Sequence, residues 1–370
     1  MKVAAYVHLH RAWMPTGVGQ HLIQMVQGLY ERSDVELTVL APRNQLNNSC
    51  RIPVEHPLTG IPVRSIPLDR RWLEGMWQHL NLPKADRWCG GAEWVYVPAE
   101  VYVAVRAPRL AVTVHDLHAF ETDLPWSSTP EHQTLRRRWT GMFRPIIERA
   151  DCILTVSQFT RRRLIDLFGV NAERIAVVGN GVDEAYFDTP SENASEPFQD
   201  TPYVVVVGGL SRRKGGDLVL KVADLLGRER PPIKVVVAGH GEAALNQQAT
   251  ALPNVIRLGF METPRLVNVL RGAIAMMFLS RYEGFGIPVL EAMAAGVPVV
   301  SSRWAALPEV VGDGGLLVDA DDSAQVAATI RMLSRDAAAR KELCTKGRKR
   351  AESYRWNSCV ARLASALRSR

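Results

Sequence analysis

Apolar residues in this chain fall into two kinds of run, and the two alternate. Short, continuous apolar runs at 3–9, 35–40, 94–97, 110–114 and 150–157 have the length of buried strands. Between them lie segments with helical spacing. Leu22, Ile23, Val26 and Leu29 predict a helix over 20–31, and 158–168 predicts another. The segment 188–202 is rich in Ser, Glu, Pro and Asn and reads as a linker, after which the alternation restarts. Further strands are expected at 203–208, 233–238, 255–261 and 273–280, and closing helices at 324–333 and 337–351. A last amphipathic helix carries Val360, Leu363 and Leu367. Strand–helix alternation predicts an α/β fold with parallel sheets, and the restart predicts two Rossmann-like domains.

Length supports that division, because 370 residues exceed what a single core usually organises. A hydrophobic content of 47% with 22% charged residues is that of a globular protein. No apolar run spans a bilayer and the N-terminus enters a strand directly, so the expected location is cytoplasmic, with peripheral association at the inner membrane face left open. Five widely spaced cysteines without a C-x-x-C pair suggest neither disulfides nor zinc. The net charge of +7 suits an anionic partner such as a nucleotide, a lipid phosphate or an anionic membrane surface. Nucleic acid is not expected, because Arg136–Arg138 and Arg161–Arg163 read as solvated helix faces and no basic stripe with interleaved aromatics is present. The proline-rich stretch 42–84 contains Trp72 and Trp77. With Arg70 and Arg71 they suit an acceptor wall, a membrane-facing patch or core packing.

The densest chemistry lies at Glu283-Gly284-Phe285-Gly286-Ile287-Pro288-Val289-Leu290-Glu291. It reads as a glycine-bearing loop, a helix with Pro288 in its first turn, a stop at Gly296 and a strand from Val297. Backbone N–H groups from Gly286 to Val289 and the helix dipole make a seat for phosphate. A carboxylate on either side, Glu283 and Glu291, calls for donors, and the sugar hydroxyls flanking a pyrophosphate supply them. A nucleotide sugar meets that description. Gly208-Gly209-Leu210-Ser211-Arg212-Arg213-Lys214 follows another strand, where its cations can neutralise a diphosphate leaving group. In the first half, Gly17-Val18-Gly19 follows strand one, His115-Asp116 ends the strand 110–114, and Ser157 ends another. Strand ends of a parallel sheet are where ligands bind. Ser157 serves equally as the cap of the next helix.

The E-x7-E stretch, with the Ala292-to-Val300 tail and Leu307-Pro308-Glu309-Val310-Val311-Gly312 after it, resembles the signature of retaining GT-B glycosyltransferases of family 4. The likeness is closest to the mannosyltransferase-like group, and it extends to Asn180-Gly181-Val182-Asp183 and His115-Asp116. It implies two Rossmann-like domains facing across a cleft, with the C-terminal helix crossing back to the first. The implied boundaries are 1–187 for the acceptor domain, 188–202 for the linker, 203–351 for the donor domain and 352–370 for the crossover helix. His115 and Glu283 would then meet the transferred sugar and Glu291 the ribose. Arg213 and Lys214 would hold the diphosphate, with Arg212 as an alternative. Gly17 and Gly19 would approach the phosphates, backbone at Phe260 and Met261 the nucleobase, and Gly284, Phe285, Gly286, Ile287 and Leu290 would line the donor seat. Asp116 and Ser157 would contact sugar or acceptor. Many relatives carry Arg or Thr where this chain has Gly209.

The expected activity is transfer of a hexose, with mannose from GDP-mannose favoured. The acceptor would be a saccharide or lipid-linked molecule, configuration would be retained, and the role would lie in glycan or polysaccharide biosynthesis. No metal and no cofactor are expected, the nucleotide sugar being a substrate. The alternatives are a GT-B nucleotide-sugar 2-epimerase and a non-catalytic nucleotide-sugar-binding protein.

Overall fold

Among the described residues seven parallel strands make the first sheet and six the second, each sheet built mostly from the apolar runs of its half of the chain. The computed structural model describes residues 1–12, 16–188 and 201–370; the expected linker 188–202 therefore lies outside the described residues except for Asp188, Thr201 and Pro202. Two compact units result. One comprises Met1–Gly181 with Trp356–Arg370, and the other Val182–Arg355.

In the first unit the strands are β1 (Lys2–Tyr6), β2 (Glu36–Pro42), β3 (Val63–Ile66), β4 (Trp94–Val97), β5 (Arg109–Val114), β6 (Cys152–Thr155) and β7 (Ile175–Val177). Their order is β3-β2-β1-β4-β5-β6-β7, so the direction of winding reverses between β1 and β4. Such a switch point leaves a crevice at the carboxyl ends of the strands. The helices are α1 (Leu9–Ala12), α2 (Gly17–Tyr30), α3 (Arg70–Leu80), α4 (Pro130–Arg149) and α5 (Gln158–Phe168).

Strand β3 was not expected from its mixed pattern; it pairs with β2 through Val39 and Val63 at the sheet edge. The two tryptophans of α3 take different roles. Trp77 is fully buried, edge-on to Tyr6 at 5.0 Å, with its Nε1–H donating to the Pro83 carbonyl at 2.7 Å. Trp72, on the opposite face, is 73% exposed.

The second unit contains β8 (Tyr203–Val207), β9 (Lys234–Ala238), β10 (Val255–Gly259), β11 (Ala275–Phe278), β12 (Val299–Ser302) and β13 (Leu316–Val318). Their order, β10-β9-β8-β11-β12-β13, puts the switch between β8 and β11. Its helices are α6 (Gly216–Gly227), α7 (Ala243–Ala249), α8 (Thr263–Arg271), α9 (Ile287–Ala294), α10 (Leu307–Val311), α11 (Ser323–Arg335) and α12 (Ala337–Glu352). Runs such as Val204–Val206 are buried because α6 and α11 cover the sheet, so no polar alternation is needed.

The first unit ends at Gly181, six residues before the boundary at 187 expected from sequence. The reason is local: Val182 bridges Arg355, and Tyr186 packs with α8 and α9. The chain then returns, since α13 (Trp356–Arg368) belongs to the first unit and packs on α2. A Cβ on Gly28 of α2 would stand 2.5 Å from Val360, so a side chain there would push α13 away.

Candidate functional site

The two loops at the switch point of the second unit carry most of its candidate residues. After β8 the chain runs through Gly208 to Lys214, and after β11 through Ser280 to Gly286 into α9. Gly208 is left-handed at φ +98°, and a Cβ on it would lie 2.0 Å from Lys214 Nζ, so the absent side chain is what gives the lysine its path. Gly209, at φ +76°, would drive a Cβ to 1.7 Å from the His240 carbonyl oxygen. The turn after β9 therefore leaves no room for a side chain at this position.

Lys214 is half-buried, and its desolvation lowers its pKa, with Arg213 lowering it further; Glu283 and Glu291 oppose the shift. Arg213 Nη1 lies 3.3 Å from Glu283 Oε1 and donates to the Tyr282 carbonyl at 2.8 Å. The same Glu283 oxygen accepts from Ser280 Oγ at 2.9 Å, so the carboxylate is held from two sides. Arg212 points differently. Its side chain is exposed, and its backbone N–H donates to Glu242 Oε1 at 2.9 Å. Arg213 and Lys214, rather than Arg212, are the cations brought to Glu283.

Helix α9 starts from Gly286; Pro288 in its first turn has no N–H and the Val289 N–H donates to the Gly286 carbonyl at 3.0 Å, so the positive end of the helix is offered chiefly through Ile287. Gly284, Phe285, Ile287 and Leu290 are buried around this start, Phe285 edge-on to Tyr354 at 5.8 Å. Glu291, only 7% exposed, is hydrogen-bonded by Tyr186, whose own pKa is pushed far up by burial and by that carboxylate. The sequence did not mark Tyr186. Its signal would have been a single aromatic after Asn180-Gly181-Val182-Asp183, which nothing local ties to α9. Phe260 and Met261 follow β10; Phe260 is 50% exposed and Met261 is buried.

In the first unit Gly17 and Gly19 lie inside α2 rather than in a turn before it. Thr16 caps the helix by accepting the Gly19 N–H at 3.1 Å, which starts it three residues earlier than periodicity predicts. His115, at the end of β5, is buried; its Nε2–H donates to the Pro98 carbonyl at 2.9 Å, because a carbonyl can only accept. Of the two neutral tautomers this bond selects the one with Nδ1 as the acceptor atom. The His115 N–H donates to Glu100 at 2.7 Å. Glu100 follows β4, beside the switch point, and is a buried carboxylate the sequence reading missed. Asp116 Oδ1 is 2.6 Å from His118 Nδ1, and His118 packs edge-on to Trp139. Ser157 is fully buried as the cap of α5, accepting from the Thr160 N–H at 3.0 Å. Of its two expected roles the capping one is observed.

His21, on α2, ties these parts together. Its Nδ1 is 2.7 Å from Asn180 Oδ1, and its ring stands edge-on to His115 at 4.7 Å and to Trp356 at 6.2 Å. Burial, then the neighbouring His115, holds its pKa well below 6.5, against the raising effect of Asn180. The unfolded chain binds the proton that the folded chain refuses, so stability is lost as pH falls below about 6.5, by up to about 1.4 kcal/mol per pH unit. Buried His56 and His132 are lowered too and add to the same trend. Melting temperature followed from about pH 8 down to about pH 5.5 should fall less steeply in His21→Gln than in the wild type. Parallel curves would refute the assignment.

Two parallel α/β units, one with cations and carboxylates around a helix N-terminus at its switch point, have the architecture expected of a glycosyltransferase, and known proteins show the same class. Residues 188–350 match the family model "Glycosyl transferases group 1", and residues 15–186 match "Glycosyltransferase Family 4". The chain belongs to the family 4 glycosyltransferases, of GT-B fold. It is 28% identical over 290 residues to the O-antigen chain mannosyltransferase B of Escherichia coli, covering 75% of this chain and 74% of the relative. It is also 28% identical to a GDP-mannose-dependent monoacylated alpha-(1-6)-phosphatidylinositol monomannoside mannosyltransferase of Corynebacterium glutamicum, over 76% of each chain. Among solved structures, Anabaena HepE in complex with UDP and glucose superposes over 100% of both chains with a TM-score of 0.71 and 20% identity, a likeness of fold.

Proposed function

We propose that this glycosyltransferase moves a hexose, mannose from GDP-mannose in first place, onto a saccharide or lipid-linked acceptor with retention of configuration and without a metal ion. What carries the reading is the meeting of Arg213 and Lys214 with Glu283 at the start of α9. Charge develops on the leaving diphosphate as the glycosidic bond breaks. Two fixed cations and a helix N-terminus stabilise it there, which is the work a divalent ion would otherwise do. Glu283 orients the sugar, Glu291 the ribose, and backbone after β10 the base. His115 Nδ1 accepts from a sugar hydroxyl. Retention follows a front-face route in which the departing phosphate oxygen takes the proton of the acceptor hydroxyl.

For the acceptor, support comes from the first unit. A groove of about 530 Å3 beside α3 is lined by Leu68, Met76, Leu82, Pro83 and Trp88 together with Arg87. Trp72 and Leu80 stand exposed nearby on α3. A mostly apolar groove with a cation in its lining suits a lipid-linked acceptor and peripheral contact with a membrane face. No helix among the described residues is long and apolar enough to cross a membrane.

A thermal-shift screen against GDP, UDP, ADP and their sugar conjugates, with and without EDTA, tests the donor. GDP and GDP-mannose should raise the melting temperature most and chelation should change nothing. Another base standing out would replace GDP, and no shift at all would favour a protein that does not bind nucleotide sugars. Product NMR then reads retention: a β-linked product from an α-linked donor would remove the front-face route.

A further inference from the structure

The glycine-bearing loop that carries Arg212, Arg213 and Lys214 makes only two backbone turns of its own, Gly215 N–H to Arg212 O at 3.1 Å and Gly216 N–H to Ser211 O at 2.8 Å. Such a loop does not hold two like charges side by side by itself, since they repel each other and glycine is conformationally free. The turn after β9 holds its first half, through Gly208 and Gly209 N–H to the Ala238 carbonyl and Glu242 N–H to the Leu210 carbonyl, and what holds its second half lies across the switch point. We propose that Arg281 is a positioning residue for the donor diphosphate, latching the cation-bearing loop to the strand end that carries Glu283. This rests on the phosphate-seat reading above.

Arg281 reaches the loop twice and the helix that follows it once. Its backbone N–H donates to the Arg213 carbonyl at 2.9 Å, and its Nη1 donates to the Arg212 carbonyl at 3.1 Å. Its guanidinium also forks onto Asp217, Nη1 to Oδ1 at 2.6 Å and Nη2 to Oδ2 at 2.8 Å. The return contact runs from Arg213 Nη1 to the Tyr282 carbonyl at 2.8 Å. Residues 281–283 and 212–214 are thus knitted in both directions, by bonds whose chief side chain is only 12% exposed.

Asp217 gives the latch a second role. It lies in the first turn of α6, directly after the loop, where an unpaired carboxylate would repel a bound diphosphate. Burial would raise its pKa, but the hydrogen bonds and charge of Arg281 prevail and keep it ionised, its charge cancelled within the pair. Lysine at 281 would keep the charge, yet a single ammonium cannot span a carbonyl and both carboxylate oxygens.

The test compares affinities of the full chain for nucleoside diphosphates and the matching monophosphates, using GDP/GMP, UDP/UMP and ADP/AMP by calorimetry. The wild type should prefer the diphosphate of its cognate base. Arg281→Gln should lose about tenfold of diphosphate affinity while the monophosphate stays unchanged, so the preference shrinks. Arg281→Lys should fall between the two. If Arg281→Gln keeps the wild-type preference, the latch is overturned while the phosphate seat stands. If the wild type itself shows no preference, the seat reading fails and the latch with it. Should Arg281→Gln not fold, Asp217→Asn decides: a selective loss of diphosphate affinity supports the latch, and an unchanged ratio refutes it.

Discussion

Gly208→Ala is expected to lower kcat/KM nearly as far as Lys214→Ala does, by about 10²–10³-fold for each. The two changes look unrelated in sequence, a methyl added at one position and an ammonium removed six residues on. In the structure they are one event, because the added Cβ would occupy the place where Lys214 Nζ crosses, 2.0 Å away. The alanine also meets a backbone at φ +98°, which side chains rarely adopt. Losing a preorganised cation in a desolvated site typically costs about 3–4 kcal/mol of transition-state stabilisation. The combined variant Gly208→Ala/Lys214→Ala should therefore be little worse than either alone, since both remove the same interaction. Steady-state kinetics of the three variants with the cognate donor reads this directly. Multiplying losses in the double variant would mean that Gly208 serves the fold rather than the lysine.

Glu291→Gln should weaken nucleotide binding more than Glu283→Gln, by about tenfold against a factor of about two. The two carboxylates have different holders. Glu283 is held by Ser280 and Arg213 beside the diphosphate cations, while Glu291 is buried and held by Tyr186. Glu283→Gln should instead lower kcat, because its partner is the sugar whose bond breaks. Tyr186→Phe provides the control. It leaves Glu291 in place but unheld, and should copy part of the binding loss while leaving kcat at saturating donor unchanged. Calorimetry with the nucleoside diphosphate separates these cases, and equal binding losses at Glu283 and Glu291 would contradict the division.

Much of this protein was written in local order along the chain. The apolar runs marked most of the strands to within a few residues, because a strand buried on both faces must be continuously apolar over its length, while the short edge strands β3, β7 and β13 carried no such run. The loop, Pro288 and helix of the E-x7-E stretch follow from backbone preferences that act over a single turn, so Gly286 and Pro288 begin α9 where the spacing requires. The family resemblance rests on the same local motifs, and for that reason it could be read from them.

Tertiary structure decided what depends on partners distant in sequence. Arg281 and Asp217 are separated by more than sixty residues, and only the adjacency of β8 and β11 brings them to 2.6 Å. Tyr186 finds Glu291, and His21 finds Asn180, in the same way. The choice of Arg213 over Arg212 beside Glu283 turned on which side chain the loop aims inward, a matter set by the contacts of Arg281 and Glu242 rather than by charge. Sequence spacing determines which face of an element is apolar, because that periodicity is local. Which side chains then meet is settled by strand order, because a parallel sheet places loops side by side that the chain itself keeps far apart.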